Sequence, residues 1–161
     1  MRGDEQRHGS PSRFCGSFAD LLSIHRGRLS RVAAWESHFG QNGIVHRKGA
    51  VRARAGETGL IPGSMGTASY VAEGLGNPEA FMTCQHGAGR ALSRTAARKS
   101  KTSREVYDEM AALGVALLSG DPATVAEEAA FAYKDIETVM AASASLVKPV
   151  RRLTPLGVVK G

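Results

Sequence analysis

The spacing of apolar positions changes part-way along the chain. Between residues 43 and 72 they fall in short runs punctuated by glycine, at 43–46, 50–54 and 69–72. Short apolar runs bounded by turn residues predict β-strands. The first two would pair around the turn Arg47-Lys48-Gly49. Residues 56–66 read as a glycine-punctuated loop around Ile61-Pro62-Gly63-Ser64, and 74–78 as a further turn. After His86 the spacing lengthens to that of a helix. Residues 89–99 would carry Arg90, Arg94 and Arg98 along one face. Thr102 followed by Glu105 is a capping-box pattern for a second helix, striped by Val106, Met110, Leu113 and Leu117 and ended by Gly120. Asp121-Pro122 reads as an N-cap and first helical residue. Residues 133–145 form a third amphipathic stretch through Ile136, Val139 and Met140, and the tail 147–160 is β-like. The expected fold class is α+β, with short mixed strands first and helices in the C-terminal half.

Before residue 33 the pattern differs. Residues 1–13 are rich in Arg, Gly and Ser and are expected to be flexible. Residues 14–29 could form a short helix with Phe18, Leu21, Leu22 and Ile24 on its apolar side. His8 and His25 read as ordinary surface histidines.

Composition narrows the picture. At 161 residues, with 42% hydrophobic and 22% charged residues, the chain suits one globular domain with a real core. The net charge of +6 is held entirely by residues 1–55, with ten Lys/Arg against four Asp/Glu. Within the balanced remainder, Arg90, Arg94, Arg98, Lys99, Lys101 and Arg104 form a run with no acid among them. That run fits polyphosphate or nucleic acid, and equally a solvated helix face. Cys15 and Cys84 are too few for a disulfide framework, so a reducing cytoplasm is the expected setting. No apolar run approaches the ~18 residues of a membrane span, and no secretory signal opens the chain.

Four stretches could carry chemistry. In Cys84-Gln85-His86-Gly87-Ala88-Gly89-Arg90, a histidine precedes Gly-x-Gly and a predicted helix. Such a helix start would set an imidazole, able to form covalent intermediates, beside unpaired amides that attract phosphate; the same residues fit a structural histidine before a turn. Gly59-Leu60-Ile61-Pro62-Gly63-Ser64-Met65-Gly66, with Ser69, offers N–H donors and hydroxyls to a sugar, base or phosphate, and equally fits a plain turn. It is not a P-loop, since no Gly-Lys-Ser/Thr occurs. The basic segment Val45-His46-Arg47-Lys48-Gly49-Ala50, with Arg52 and Arg54, suits an RNA backbone or simple solvation. Lys160, ending the last strand, could pair with a phosphate or polar base.

As an ordered set, seven segments resemble the RtcB family of GTP-dependent RNA ligases, the tRNA-splicing ligases. They are Glu36-Ser37-His38-Phe39-Gly40, His46-Arg47-Lys48-Gly49-Ala50, residues 59–66, Gly76-Asn77-Pro78-Glu79, residues 86–90 with Ser93-Arg94-Thr95, Ala132-Tyr133-Lys134-Asp135-Ile136, and Val158-Val159-Lys160-Gly161. The resemblance runs from about Ala33 to the end and covers the C-terminal part of a family member. It implies joining of RNA 2′,3′-cyclic phosphate or 3′-phosphate ends to 5′-hydroxyls, in tRNA halves or broken RNA, through a histidine–GMP adduct. It implies that His86 is the guanylylated nucleophile, flanked by Gly87, Ala88 and Gly89. Pro62, Gly63, Ser64, Met65 and Ser69 would line the guanylate pocket, Lys160 would meet the guanine end and Tyr133 would cover the base. Manganese is implied too, but the family's ligands for it are not found in this chain. Ser30 and Arg31 stand where the family carries a metal-binding His and a GMP-contacting Asn, and neither replaces imidazole as a metal ligand. Residues 1–32 are therefore expected to be divergent, joined to family sequence (33–161) by a frameshift or truncation, and the fold to be incomplete. The competing expectations are an inactive remnant that binds RNA or guanine nucleotide, and a fragment with no function.

Overall fold

The computed structural model describes residues 33–160. The expectations for residues 1–32, including Cys15, Ser30 and Arg31, and for Gly161 lie outside the described residues. The architecture is α+β. Strands β1 (Ala33–His38) and β2 (Gln41–His46) form an antiparallel hairpin. Its two-residue turn, Phe39-Gly40, has φ of 53° and 75°, the left-handed pair that matches strand twist. Strand β3 (Ala50–Arg52) pairs instead with β6 (Thr83–Gln85). The expected pairing of 43–46 with 50–54 is thus corrected. The tighter turn at Phe39-Gly40 claims β2 first, and Arg47 is buried in an ion pair that turns the chain away.

Strands β4 (Thr58–Ile61), β5 (Ser69–Gly74) and β8 (Val147–Leu153) form an antiparallel sheet with β5 central. Tyr70 and Ala72 on β5 face the core in strict alternation. The expected loop 56–66 therefore contains a strand. Its first part, Thr58–Ile61, buries Gly59 and Ile61, and only the remainder is a loop. Strand β7 (Ala116–Ser119) runs parallel to β9 (Gly157–Lys160).

Helix α1 (Arg94–Ser100) begins later than expected. Gly89 is left-handed at φ 72°, Arg90 bridges Tyr133, and the amides of Ala91 and Leu92 both donate to Ala132 O at 2.8 and 3.1 Å. Residues 89–92 are held by the 132–134 segment, so Ser93 becomes the N-cap, its Oγ accepting from Ala96 N. Helix α2 (Ser103–Ala112) carries both bonds of the expected capping box. It ends eight residues before Gly120 because Gly114, at φ 69°, takes the left-handed stop and Val115 N returns to Met110 O. Leu117 consequently lies on β7, and Leu113 is exposed. Asp121 caps as expected, but the turns that follow are 3-10 (Pro122–Glu128 and Ala130–Ala132). Helix α3 (Ile136–Ala142), capped by Asp135, is the shorter core of the third amphipathic stretch.

Two apolar clusters result. One joins Val51, Ile61, Tyr70, Ala72, Cys84 and Ala88 to Ile136, Met140 and Val147. The other gathers Met65, Val106, Met110, Val115 and Val125, with Val158 packed against it. The loop after β4 spans both, because Ile61 anchors in the first cluster and Met65 in the second. A pocket lies along that loop.

Candidate functional site

The pocket has a volume of about 350 Å³, near the lower end of the ~300–1,000 Å³ usual for small-molecule sites. One wall is the loop, with Pro62, Gly63, Ser64, Met65, Thr67 and Ser69. A second is the tail, from Leu153, Thr154 and Pro155 to Gly157, Val158 and Lys160. Glu128 and Tyr133 close the third. The loop holds its own shape. Ser64 N donates to Thr67 Oγ1 at 2.7 Å, and Gly63 N to Ser69 Oγ at 3.3 Å. Those two amides serve the loop, so the supply of unpaired donors anticipated there is smaller than expected.

At the far end of β6, His86 is exposed. Its Nδ1 lies 2.8 Å from Gly49 O. A carbonyl oxygen can only accept, so Nδ1 carries a proton, and in the neutral ring the lone pair is on Nε2. Gly49 supplies that carbonyl from a left-handed turn at φ 68°, where a side chain would be strained. The Gly-x-Gly segment is not a helix start, which corrects that expectation. Ala88 N donates to Pro62 O at 2.9 Å, tying His86's segment to the pocket loop. The approach at Gly87 is close: a Cβ there would sit 2.9 Å from Pro62 O. Pro62, Gly63, Ser64, Met65, Ser69, Tyr133 and Lys160 thus line one cavity. His86, Gly87, Ala88 and Gly89 lie outside its lining, joined to it through Pro62 and, at Arg90, through Tyr133.

A family model described as tRNA-splicing ligase RtcB matches residues 30–161. The chain belongs to the RtcB family. It is 48% identical to the RNA-splicing ligase RtcB of Escherichia coli K12 over 126 residues, 78% of this chain and 30% of that protein. The tRNA-splicing ligase RtcB of Aeropyrum pernix is 40% identical over 136 residues, covering 73% and 28%. That of Methanocaldococcus jannaschii is 40% identical over 175 residues, covering 90% and 18%. The chain thus spans about a third or less of the length of these curated relatives.

Sequence reasoning missed two features of this RtcB-family chain. The first is Glu128. Tyr133 Oη donates to its Oε2 at 2.6 Å, Lys160 Nζ stands 3.6 Å from the same oxygen, and Arg90 Nη1 is 3.5 Å from Oε1. Burial pushes the Glu128 carboxyl up, but the Tyr133 hydroxyl with Lys160, Arg90 and Arg94 outweighs it and leaves it below the usual range. Burial, then the bond to Glu128, pushes the Tyr133 phenol up. A signal existed in the sequence: Glu127-Glu128 is the acidic pair that the acid-free basic run lacks.

The second is Glu36 with Arg47, both buried. Arg47 donates twice to the carboxylate, at 2.7 and 2.8 Å, and also to Thr83 Oγ1 and Phe81 O. His38 Nε2 is 2.8 Å from Glu36 Oε2. The Arg47 hydrogen bonds hold the Glu36 carboxyl down at about 2, against the desolvation that would raise it. Arg47 is therefore a structural residue and not the RNA contact suggested by its basic segment, and Arg52 is paired with Glu57 at 2.7 Å.

Five of the six residues of the basic run have acidic partners. Glu127 takes Arg98 at 2.7 Å and Arg94 at 3.5 Å, Arg104 pairs with Asp108, and Lys101 with Glu109. Lys101 also lies 5.1 Å over the Phe131 ring. These are surface pairs, with the Arg94, Arg98 and Arg104 side chains more than half exposed, so the run reads as a solvated face with acids interleaved. Among the described residues, no group of three or more His, Cys, Asp and Glu could hold a metal ion. The described residues alone do not supply a ligand set for the manganese that the resemblance implies. No helix among them is long and apolar enough to cross a membrane.

Proposed function

We propose that residues 33–161 supply the guanylate-handling part of a GTP-dependent RNA ligase, following a divergent segment 1–32. The observation that carries this reading is the hydrogen bond between His86 Nδ1 and Gly49 O, which in a neutral ring leaves the lone pair on Nε2 of an exposed residue and so supports Nε2 as the nucleophile. In this reading His86 Nε2 attacks the α-phosphorus of GTP, a P–N bond forms, and the bond to the pyrophosphate leaving group breaks. The Gly49 carbonyl stabilises the positive charge that builds on the ring. Pro62, Gly63, Ser64, Met65 and Ser69 receive the nucleoside, with Tyr133 and Lys160 at the base. Gly87, Ala88 and Gly89 flank the nucleotide between the cavity and the imidazole, and the two glycines present no Cβ to it. GMP then moves to an RNA 3′-phosphate, and a 5′-hydroxyl displaces it. The relatives' printed names, RNA-splicing and tRNA-splicing ligase, support the substrate class.

A second reading has its own support: with no metal-binding cluster among the described residues, the chain would bind guanine nucleotide or RNA without ligating. The test uses α-labelled GTP with manganese and, in parallel, equilibrium binding of fluorescent GMP. Covalent label that vanishes in His86→Ala supports the ligase reading. Saturable GMP binding without label supports the binding remnant. Label retained in His86→Ala refutes the nucleophile, and a protein that takes no label and binds neither GMP nor labelled RNA refutes both.

A further inference from the structure

Glu127 and Glu128 are neighbours at the end of one 3-10 turn and share Arg94, at 3.5 and 4.0 Å, yet their other partners lie in different parts of the fold. Glu127 turns to Arg98 and Arg94 on α1. Glu128 turns into the pocket wall. There it meets Tyr133 at 2.6 Å, Lys160 at 3.6 Å and Arg90 at 3.5 Å. Arg90 in turn lies 5.1 Å over the Tyr133 ring and reaches its hydroxyl at 3.4 Å. Two pocket groups from separate elements, one on β9 and one after the Ala130–Ala132 turn, therefore share one carboxylate. A lysine on a four-carbon stem has many rotamers and loses much freedom when held. A fixed anion beside it removes that freedom before any ligand arrives, and the same anion fixes the Tyr133 ring by its hydroxyl.

We infer that Glu128 is a positioning residue for the nucleotide pocket, holding the Lys160 ammonium and the Tyr133 ring where the base end of a guanine nucleotide docks. The inference rests on the pocket reading given under Proposed function. Glu128 need not touch the nucleotide; it acts through Lys160 and Tyr133. Its charge is shared with Arg90 and Arg94, so it offsets part of the Lys160 charge, and the base end presents an ammonium with a carboxylate beside it rather than a lone cation. A paired cation favours a polar base edge over a phosphate group.

The test is a double-mutant cycle on GMP affinity, with ribose 5-phosphate as the ligand lacking a base. Glu128→Ala and Lys160→Ala should each weaken GMP binding about tenfold, and the double variant by little more than either, as expected for residues in one network. Ribose 5-phosphate binding should barely change. Glu128→Gln, which keeps an oxygen for Tyr133 but no charge for Lys160, should lie between wild type and Glu128→Ala. Thermal unfolding of each variant confirms that folded protein is being compared. Independent, multiplying losses would overturn the inference, as would a Glu128→Ala protein that binds GMP like wild type. If wild type itself fails to bind GMP, the pocket reading fails instead, a distinguishable outcome.

Discussion

Replacing Glu36 by Gln tests the buried ion pair that closes β1–β2 against β6. The substitution keeps shape and removes charge, leaving Arg47 buried beside a neutral amide. Glu36 titrates at about 2 in the fold against an ordinary 4.5, a depression of between two and three pH units. At about 1.4 kcal/mol per unit this is worth about 3 kcal/mol at pH 7. Its side chain is only 3% exposed, so solvent screening removes little of that. The magnitude agrees with the ~3–5 kcal/mol typical when one partner of a buried pair is removed. The sign follows from a lowered pKa: the stabilisation is complete above pH 4.5 and is lost as pH falls toward 2. Urea unfolding of wild type and Glu36→Gln at pH 7, 4.5 and 3 measures it. The gap between the two proteins should be about 3 kcal/mol at pH 7, nearly as large at pH 4.5, and less than half as large at pH 3. A gap that stays constant from pH 7 to 3 would refute the electrostatic account and leave only a packing effect.

Other consequences follow from particular contacts. Gly87→Ala places a Cβ 2.9 Å from the Pro62 carbonyl, so it should cost about 1–3 kcal/mol by overpacking and weaken nucleotide binding together with thermal stability. Nitrogen-15 spectra of the histidines should show His86 protonated at Nδ1; an Nε2–H tautomer would contradict the Gly49 hydrogen bond. Met110→Ala removes a side chain 3% exposed in the second cluster, and should destabilise by about 2–5 kcal/mol in denaturant unfolding. Ser93→Ala deletes the cap that starts α1, with an expected loss of about 1 kcal/mol and lower far-ultraviolet helicity.

The sequence by itself determined whatever depends on neighbours a few residues apart. The capping box at Thr102 and Glu105, the Asp121-Pro122 start and the buried stripe of Val106 and Met110 all follow from spacing, because a helix turn joins residues three and four apart. The pocket residues on the Pro62 loop, Tyr133 and Lys160 were legible only as members of an ordered set of motifs. No local rule says that residue 62 meets residue 160. Partner choice belonged to the tertiary structure. β2 could pair forward or back, and the left-handed Phe39-Gly40 turn decided it. The spacing of Arg90, Arg94 and Arg98 allowed a helix from Gly89, yet the backbone bonds from Ala91 and Leu92 to Ala132 hold residues 89–92 out of it and leave Ser93 as the cap. Arg47, Arg90, Arg94 and Arg98 read as unpaired charge until Glu36, Glu127 and Glu128 were brought beside them from other elements. Charge is written in the sequence, but its neutralisation depends on distance, and only folding sets the distance between residues far apart in the chain.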